Sequence, residues 1–106
     1  DDHTKNISFL MDSSGQWSLS PAYDMGFAYN PLGAWTATHQ MSINGKFDNI
    51  TRADLLSLAN ANNIKNASEI IDQVCETTAR WPELAKNCGV PQKMIDGIVP
   101  HMFLNI

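Results

Sequence analysis

Short apolar segments of period two open the chain, and apolar residues at helical spacing fill its second half. Ile7-Ser8-Phe9-Leu10-Met11 and Trp17-Ser18-Leu19-Ser20 are joined by Asp12-Ser13-Ser14-Gly15-Gln16. This pattern predicts a β-hairpin with Gly15 free to take a positive φ. Residues 25–40 carry Gly26, Pro31, Gly33 and several aromatics without a sustained period, and read as an extended, partly ordered loop. Met41-Ser42-Ile43-Asn44-Gly45-Lys46-Phe47 places an Asn-Gly turn between short apolar ends, a second hairpin signal.

Beyond residue 50 the period changes. Thr51-Arg52-Ala53-Asp54 offers a capping hydroxyl with an acid three positions on, and Leu55, Leu56, Leu58 and Ala59 supply an apolar face, so a helix is predicted over 52–61. Asn66-Ala67-Ser68-Glu69 is another start signal. After it Ile70, Ile71, Val74, Cys75, Thr78, Trp81, Leu84 and Ala85 recur at helical spacing, which predicts the longest helix over 67–87 with Trp81 and its stripe in the core. Pro82 lacks an amide hydrogen and must kink that helix or start a new one. Gly89 and Pro91 supply the stop. A last stripe of Met94, Ile95, Ile98, Val99, Met102 and Phe103 is weakened by Gly97 and Pro100. The resulting fold class is α+β, mainly helical: a hairpin region over 1–48, with a polar start, and a helical region over 49–106.

Composition narrows the function. A chain of 106 residues suits one small domain, and 43% hydrophobic with 17% charged residues argues against disorder. The net charge of −4 and the scattering of the seven Lys and Arg disfavour a nucleic-acid surface. The pair of helices over 52–61 and 67–80 could pass for a helix-turn-helix, but Asp72 and Glu76 on the second would repel phosphates. Cys75 and Cys88 are too few for a disulfide scaffold, and reduced thiols in a cytoplasmic protein are expected. These residues show no signal-peptide pattern and no apolar run that would span a membrane. Asn6, Asn49 and Asn66 begin Asn-x-Ser/Thr triplets, which without an export route are not expected to be glycosylated. His3, His39 and His101 lack the spacing of a zinc site.

The candidate chemistry lies in the first 24 residues. Asp1-Asp2-His3-Thr4-Lys5-Asn6 is followed, one hairpin later, by Ser20-Pro21-Ala22-Tyr23-Asp24. An Asp, an Asn five residues on and a second Asp have the order of a kinase catalytic loop and its magnesium-binding aspartate. Phosphoryl transfer needs a group to take the hydroxyl proton and oxygen ligands for magnesium. An amide oxygen ligates that hard cation without adding charge, and a carboxylate adds the stronger attraction. A hairpin turning near Ser14 returns Asn6 and Asp24 to the same open end.

These residues, with Asn6-Ile7-Ser8-Phe9-Leu10, Leu19-Ser20-Pro21-Ala22-Tyr23-Asp24-Met25 and Met41-Ser42-Ile43-Asn44-Gly45-Lys46, resemble the C-terminal region of HipA-family serine/threonine kinases, toxin components of bacterial toxin–antitoxin modules. The resemblance covers most of the chain, with its specific motifs in the first 46 residues. It implies a kinase C-lobe-like fold. Asp1 would be the catalytic aspartate, Asn6 and Asp24 magnesium ligands, and His3 and Lys5 groups of the loop that orient it or approach phosphate. It also implies ATP and Mg2+ as cofactors of the intact enzyme, a protein such as an aminoacyl-tRNA synthetase as substrate, and an antitoxin as partner. The sequence reads Asp24-Met25-Gly26 where kinases carry Asp-Phe-Gly. It holds no glycine-rich phosphate loop and no strand lysine paired with a helix glutamate, so the chain is expected to be part of a kinase and inactive by itself. A noncatalytic interaction domain, for example one docking an antitoxin, is the alternative. Phe27, Tyr29 and Trp35 could line a peptide surface or pack on the helices.

Overall fold

A computed structural model describes residues 2–102 and 106. The chain is α+β and divides into two compact units, Asp1–Ser42 and Ile43–Ile106.

The first unit is built on an antiparallel hairpin of β1 (Phe9–Met11) and β2 (Trp17–Leu19), with Phe9 opposite Leu19, Leu10 opposite Ser18 and Met11 opposite Trp17. Its connection closes as the sequence predicts. Gly15 takes a φ of +84°, and the Asp12 carboxylate accepts hydrogen bonds from the Ser14 amide and hydroxyl and from the Gln16 amide. A residue without a Cβ meets the positive φ at no steric cost, and a short acid satisfies the amides of the turn. Residues 25–40 form turns and irregular backbone.

The second unit is helical: α1 (Arg52–Ala61), α2 (Ala67–Ala79), α3 (Trp81–Asn87) and α4 (Gln92–Ile98), followed by a 3-10 turn at Val99–His101. Thr51 and Asp54 form the reciprocal capping box expected of them. At the other end of α1, Asn63 adopts a φ of +57° and the Ile64 amide reaches back to the Ala59 carbonyl. The end of α3 repeats this closure with Gly89 at +79° and the Val90 amide on Ala85. Of the two outcomes open to Pro82, the structure takes the second. α2 stops at Arg80 and α3 begins anew with Pro82 in its first turn, where its missing amide hydrogen costs nothing.

Three expectations need correction. Asn66 precedes α2 but its side chain makes no capping hydrogen bond. The Asn44-Gly45 turn has positive φ at both residues, as a tight hairpin turn requires, yet it closes only a single bridge, Ile43 to Lys46. Of the apolar stripe of the long helix, only Ala85 is buried. Ile70, Val74 and Leu84 are exposed and Trp81 is half-buried, whereas the buried apolar residues among those described are Ala59, Ala67, Ala85 and Ile95. Phe103 lies outside the described residues.

Asp54 ties the short Asn44 turn to the helices, which is why that turn belongs to the second unit. Only 4% exposed, its carboxylate accepts from Lys46 Nζ at 2.8 Å, Asn44 Nδ2 at 2.9 Å, the Thr51 hydroxyl at 2.7 Å and the Thr51 amide at 2.9 Å. The Lys46 ammonium, then Asn44 and Thr51, hold its carboxyl well below the usual carboxylate range. Because the folded value is depressed, its stabilisation is complete above the unfolded value of about 4 and is lost as the pH falls below it. Asp54→Asn is therefore expected to destabilise the helices at pH 7 and to flatten their acid unfolding curve, read by circular dichroism at 222 nm. Thr51→Ala is expected to cost about 1 kcal/mol.

Candidate functional site

The residues singled out in the sequence lie at the open end of the first hairpin. The pairing that sets Phe9 against Leu19 continues outward: the Ser20 amide donates to the Ser8 carbonyl at 2.9 Å, and the two hydroxyls bond to each other at 2.9 Å. Before the strand, Thr4–Asn6 make one turn of 3-10 helix, closed by the Asn6 amide on the His3 carbonyl at 3.0 Å. After the strand, the Tyr23 hydroxyl donates to the Lys5 carbonyl at 2.5 Å. These contacts fix the backbone on either side of the pair that matters.

That pair is Asn6 and Asp24. Asn6 Nδ2 donates to Asp24 Oδ2 at 3.2 Å. Asp24 has a φ of +56°, a conformation that Asp and Asn adopt more readily than other side chains. The other end of the Asn6 amide, Oδ1, is buried without a hydrogen-bond partner. A buried acceptor left unpaired costs about 1–3 kcal/mol, which a bound cation or water would relieve. The set of one amide oxygen and one carboxylate suits magnesium, which commonly takes one or two protein oxygens and completes its shell with water and phosphate. Among the described residues no group of three or more His, Cys, Asp or Glu is arranged to hold a metal. Beside the pair lies an open hollow of about 240 Å³, lined mainly by apolar atoms of residues including Ile7, Leu19, Pro21 and Met25.

The other expected residues divide. His3 is half-buried, and its Nδ1 is buried without a partner. Lys5 is exposed. Among the described residues no hydrogen bond joins the His3 or Lys5 side chain to Asn6 or Asp24. Asp1 lies outside the described residues. Phe27 and Tyr29 contact each other edge to face with centroids 6.3 Å apart and stay largely exposed, as does Trp35.

Asp2 is the residue that sequence reasoning missed. Its Oδ1 accepts from the Gln40 amide at 3.0 Å and from His39 Nδ1 at 3.2 Å, and its Oδ2 from the Met41 amide at 3.3 Å. Partial burial alone would raise its carboxyl, but the Gln40 and Met41 amides and the His39 ring outweigh it and hold the carboxyl below its ordinary value. The only signal in the sequence was its place beside Asp1.

The family of HipA-like C-terminal domains matches residues 1–97. The chain belongs to that family. No curated protein and no solved structure matches it. The match takes in the whole hairpin and α1 to α3, so the HipA-like domain contains both the Asn6–Asp24 pair and the Asp2 contacts. Among the described residues no helix is long and apolar enough to cross a membrane.

The positive φ of Asp24 makes its substitutions separable. Asp24→Asn is expected to leave the hairpin intact, since Asn tolerates that conformation. Asp24→Val is expected to cost the first unit about 1–2 kcal/mol beyond the lost hydrogen bond, measured as faster exchange of the Ser20 amide.

Proposed function

We propose that this HipA-like domain carries the catalytic loop and the metal-binding aspartate of a serine/threonine protein kinase. The intact protein would transfer the γ-phosphoryl group of ATP to a protein hydroxyl. The observation that carries this reading is the meeting of Asn6 with Asp24, 18 positions apart in sequence, where Asn6 Nδ2 donates to Asp24 Oδ2 and Asn6 Oδ1 is left unpaired. In this reading Asp1 takes the proton of the attacking hydroxyl, Asn6 and Asp24 hold magnesium, and His3 and Lys5 attend the phosphates. Magnesium would neutralise the charge that builds on the transferring group. The chain's own contribution is positional: the 3-10 turn and the Tyr23 contact hold Asn6, and the left-handed backbone at Asp24 holds the carboxylate against it. Family membership supports a kinase and toxin–antitoxin setting; a kinase C-lobe-like architecture, a protein substrate and an antitoxin partner are part of the same proposal.

A second reading, a noncatalytic docking domain, draws on the hairpin itself. Phe9, Met11, Trp17 and Leu19 share one face through their cross-strand pairing, and each is more than half exposed. Contiguous apolar surface of this kind marks contacts with other proteins.

The two readings part on one substitution in the intact protein that carries this domain. Asp24→Asn, with the fold kept, is expected to lower phosphotransfer from [γ-32P]ATP by about 100-fold or more, and Asp1→Ala by about 100-fold, the scale of losing a main electrostatic or proton-accepting group. Undiminished transfer in either variant would sink the kinase assignment and leave the docking reading.

A further inference from the structure

The Asp2 contacts are not used by the chemistry above, yet they lie on the segment that carries it. We propose that Asp2 is a positioning residue: it fixes residues 39–41 to the Asp1–Asn6 segment and thereby sets where the 25–40 loop stands for an incoming protein substrate. The role in substrate access rests on the kinase reading; the anchoring itself does not.

The loop is held at both ends by nearly adjacent residues. At its near end Asp24 is bound by Asn6, and at its far end the Gln40 and Met41 amides are bound by Asp2. Two of the three Asp2 contacts are to the main chain, so the grip places the backbone whatever side chains stand at 40 and 41. Hydrogen bonds to an ionised carboxylate are the stronger kind, and half-burial of Asp2, Gln40 and Met41 limits their competition with water. From the anchored end the hold passes inward, because Gln40 Nε2 donates to the Trp35 carbonyl at 2.8 Å. Trp35 sits in a turn closed by the Gly33 amide on the Asn30 carbonyl and the Ala37 amide on the Gly33 carbonyl. A Cβ at Gly33 would collide with the Thr36 hydroxyl, so the turn closes tightly around a residue without a side chain. At its surface Leu32 is 94% and Trp35 71% exposed. The loop is thus a shaped, apolar-tipped projection whose two ends are set by Asp2 and Asn6. Loosening the far end changes where the projection stands and leaves Asn6 and Asp24 joined.

The test uses the intact protein carrying this domain, with dephosphorylated casein as the acceptor probe. In Asp2→Asn, hydrogen exchange of the Gln40 and Met41 amides is expected to rise about tenfold or more while the Ser20 amide of the hairpin is unchanged. The KM for casein is expected to rise about tenfold, with the KM for ATP and the rate of ATP hydrolysis within about twofold of the parent. A general structural role would instead speed exchange at Ser20 and lower all activities together, and that result overturns the proposal, as does unchanged exchange at Gln40 and Met41. If Asp2→Asn does not fold, His39→Ala removes one contact and neither backbone bond; it is expected to move the same amides and the casein KM in the same direction by less, and no movement overturns the proposal. Asp24→Asn separates the two failures. Loss of transfer there with no effect of Asp2→Asn refutes Asp2 alone, whereas retained transfer refutes the kinase reading and with it the role of Asp2 in substrate access.

Discussion

The antiparallel register of Phe9–Met11 on Trp17–Leu19 is the constraint on which the candidate site depends. Side chains 18 positions apart meet because this pairing, carried outward by Ser8 and Ser20, returns the chain to its own start. A slip of one residue would turn every side chain of one strand to the other face and misplace Asp24 relative to Asn6. The Asp12 turn sets that register with three hydrogen bonds to one carboxylate oxygen and a glycine at positive φ. The meeting of Asn6 with Asp24 is therefore set through a turn that touches neither residue.

Carboxylates organise both units by the same physics. Asp54 gathers the Asn44 turn, Lys46 and the start of α1, and Asp2 gathers residues 39–41. Each replaces water with several donors, several of them main-chain amides, so that an ionised group becomes a fixed joint between segments without regular pairing. The need for such joints follows from how little large apolar surface is buried. Alanines and Ile95 fill the helix contacts, while most bulky apolar side chains remain partly or largely exposed. In the HipA-like domain, polar joints place elements that packing alone would leave loose.

Much of this was legible in the chain of residues, for local reasons. Gly15, the Thr51–Asp54 capping box, the Pro82 restart and the Gly89 stop each follow from the conformational limits of one residue or from donors within one turn. The order Asp, Asn, Asp raised metal and proton chemistry as an expectation, of which the structure shows the meeting of Asn6 with Asp24. Asn66 failed as a cap because its side chain, though of a suitable type, makes no bond to the helix start. The stripe from Ile70 to Leu84 failed as a core because periodicity reports which residues share a face and not whether anything covers that face.

The sequence by itself determined the first hairpin, the helical second half, several of the element ends, the family and the residue types available for chemistry, since propensity, capping and turn geometry act over a few neighbouring positions. Only the tertiary structure decided that Asn6 turns its amide hydrogens to Asp24 and leaves its oxygen unpaired, that Asp54 is buried among its donors, and that Asp2 holds residues 39–41. Each of these joins positions that chain order keeps apart or depends on which way a side chain turns once water is excluded. No local rule can rank those choices, because their free energy exists only after the segments have met.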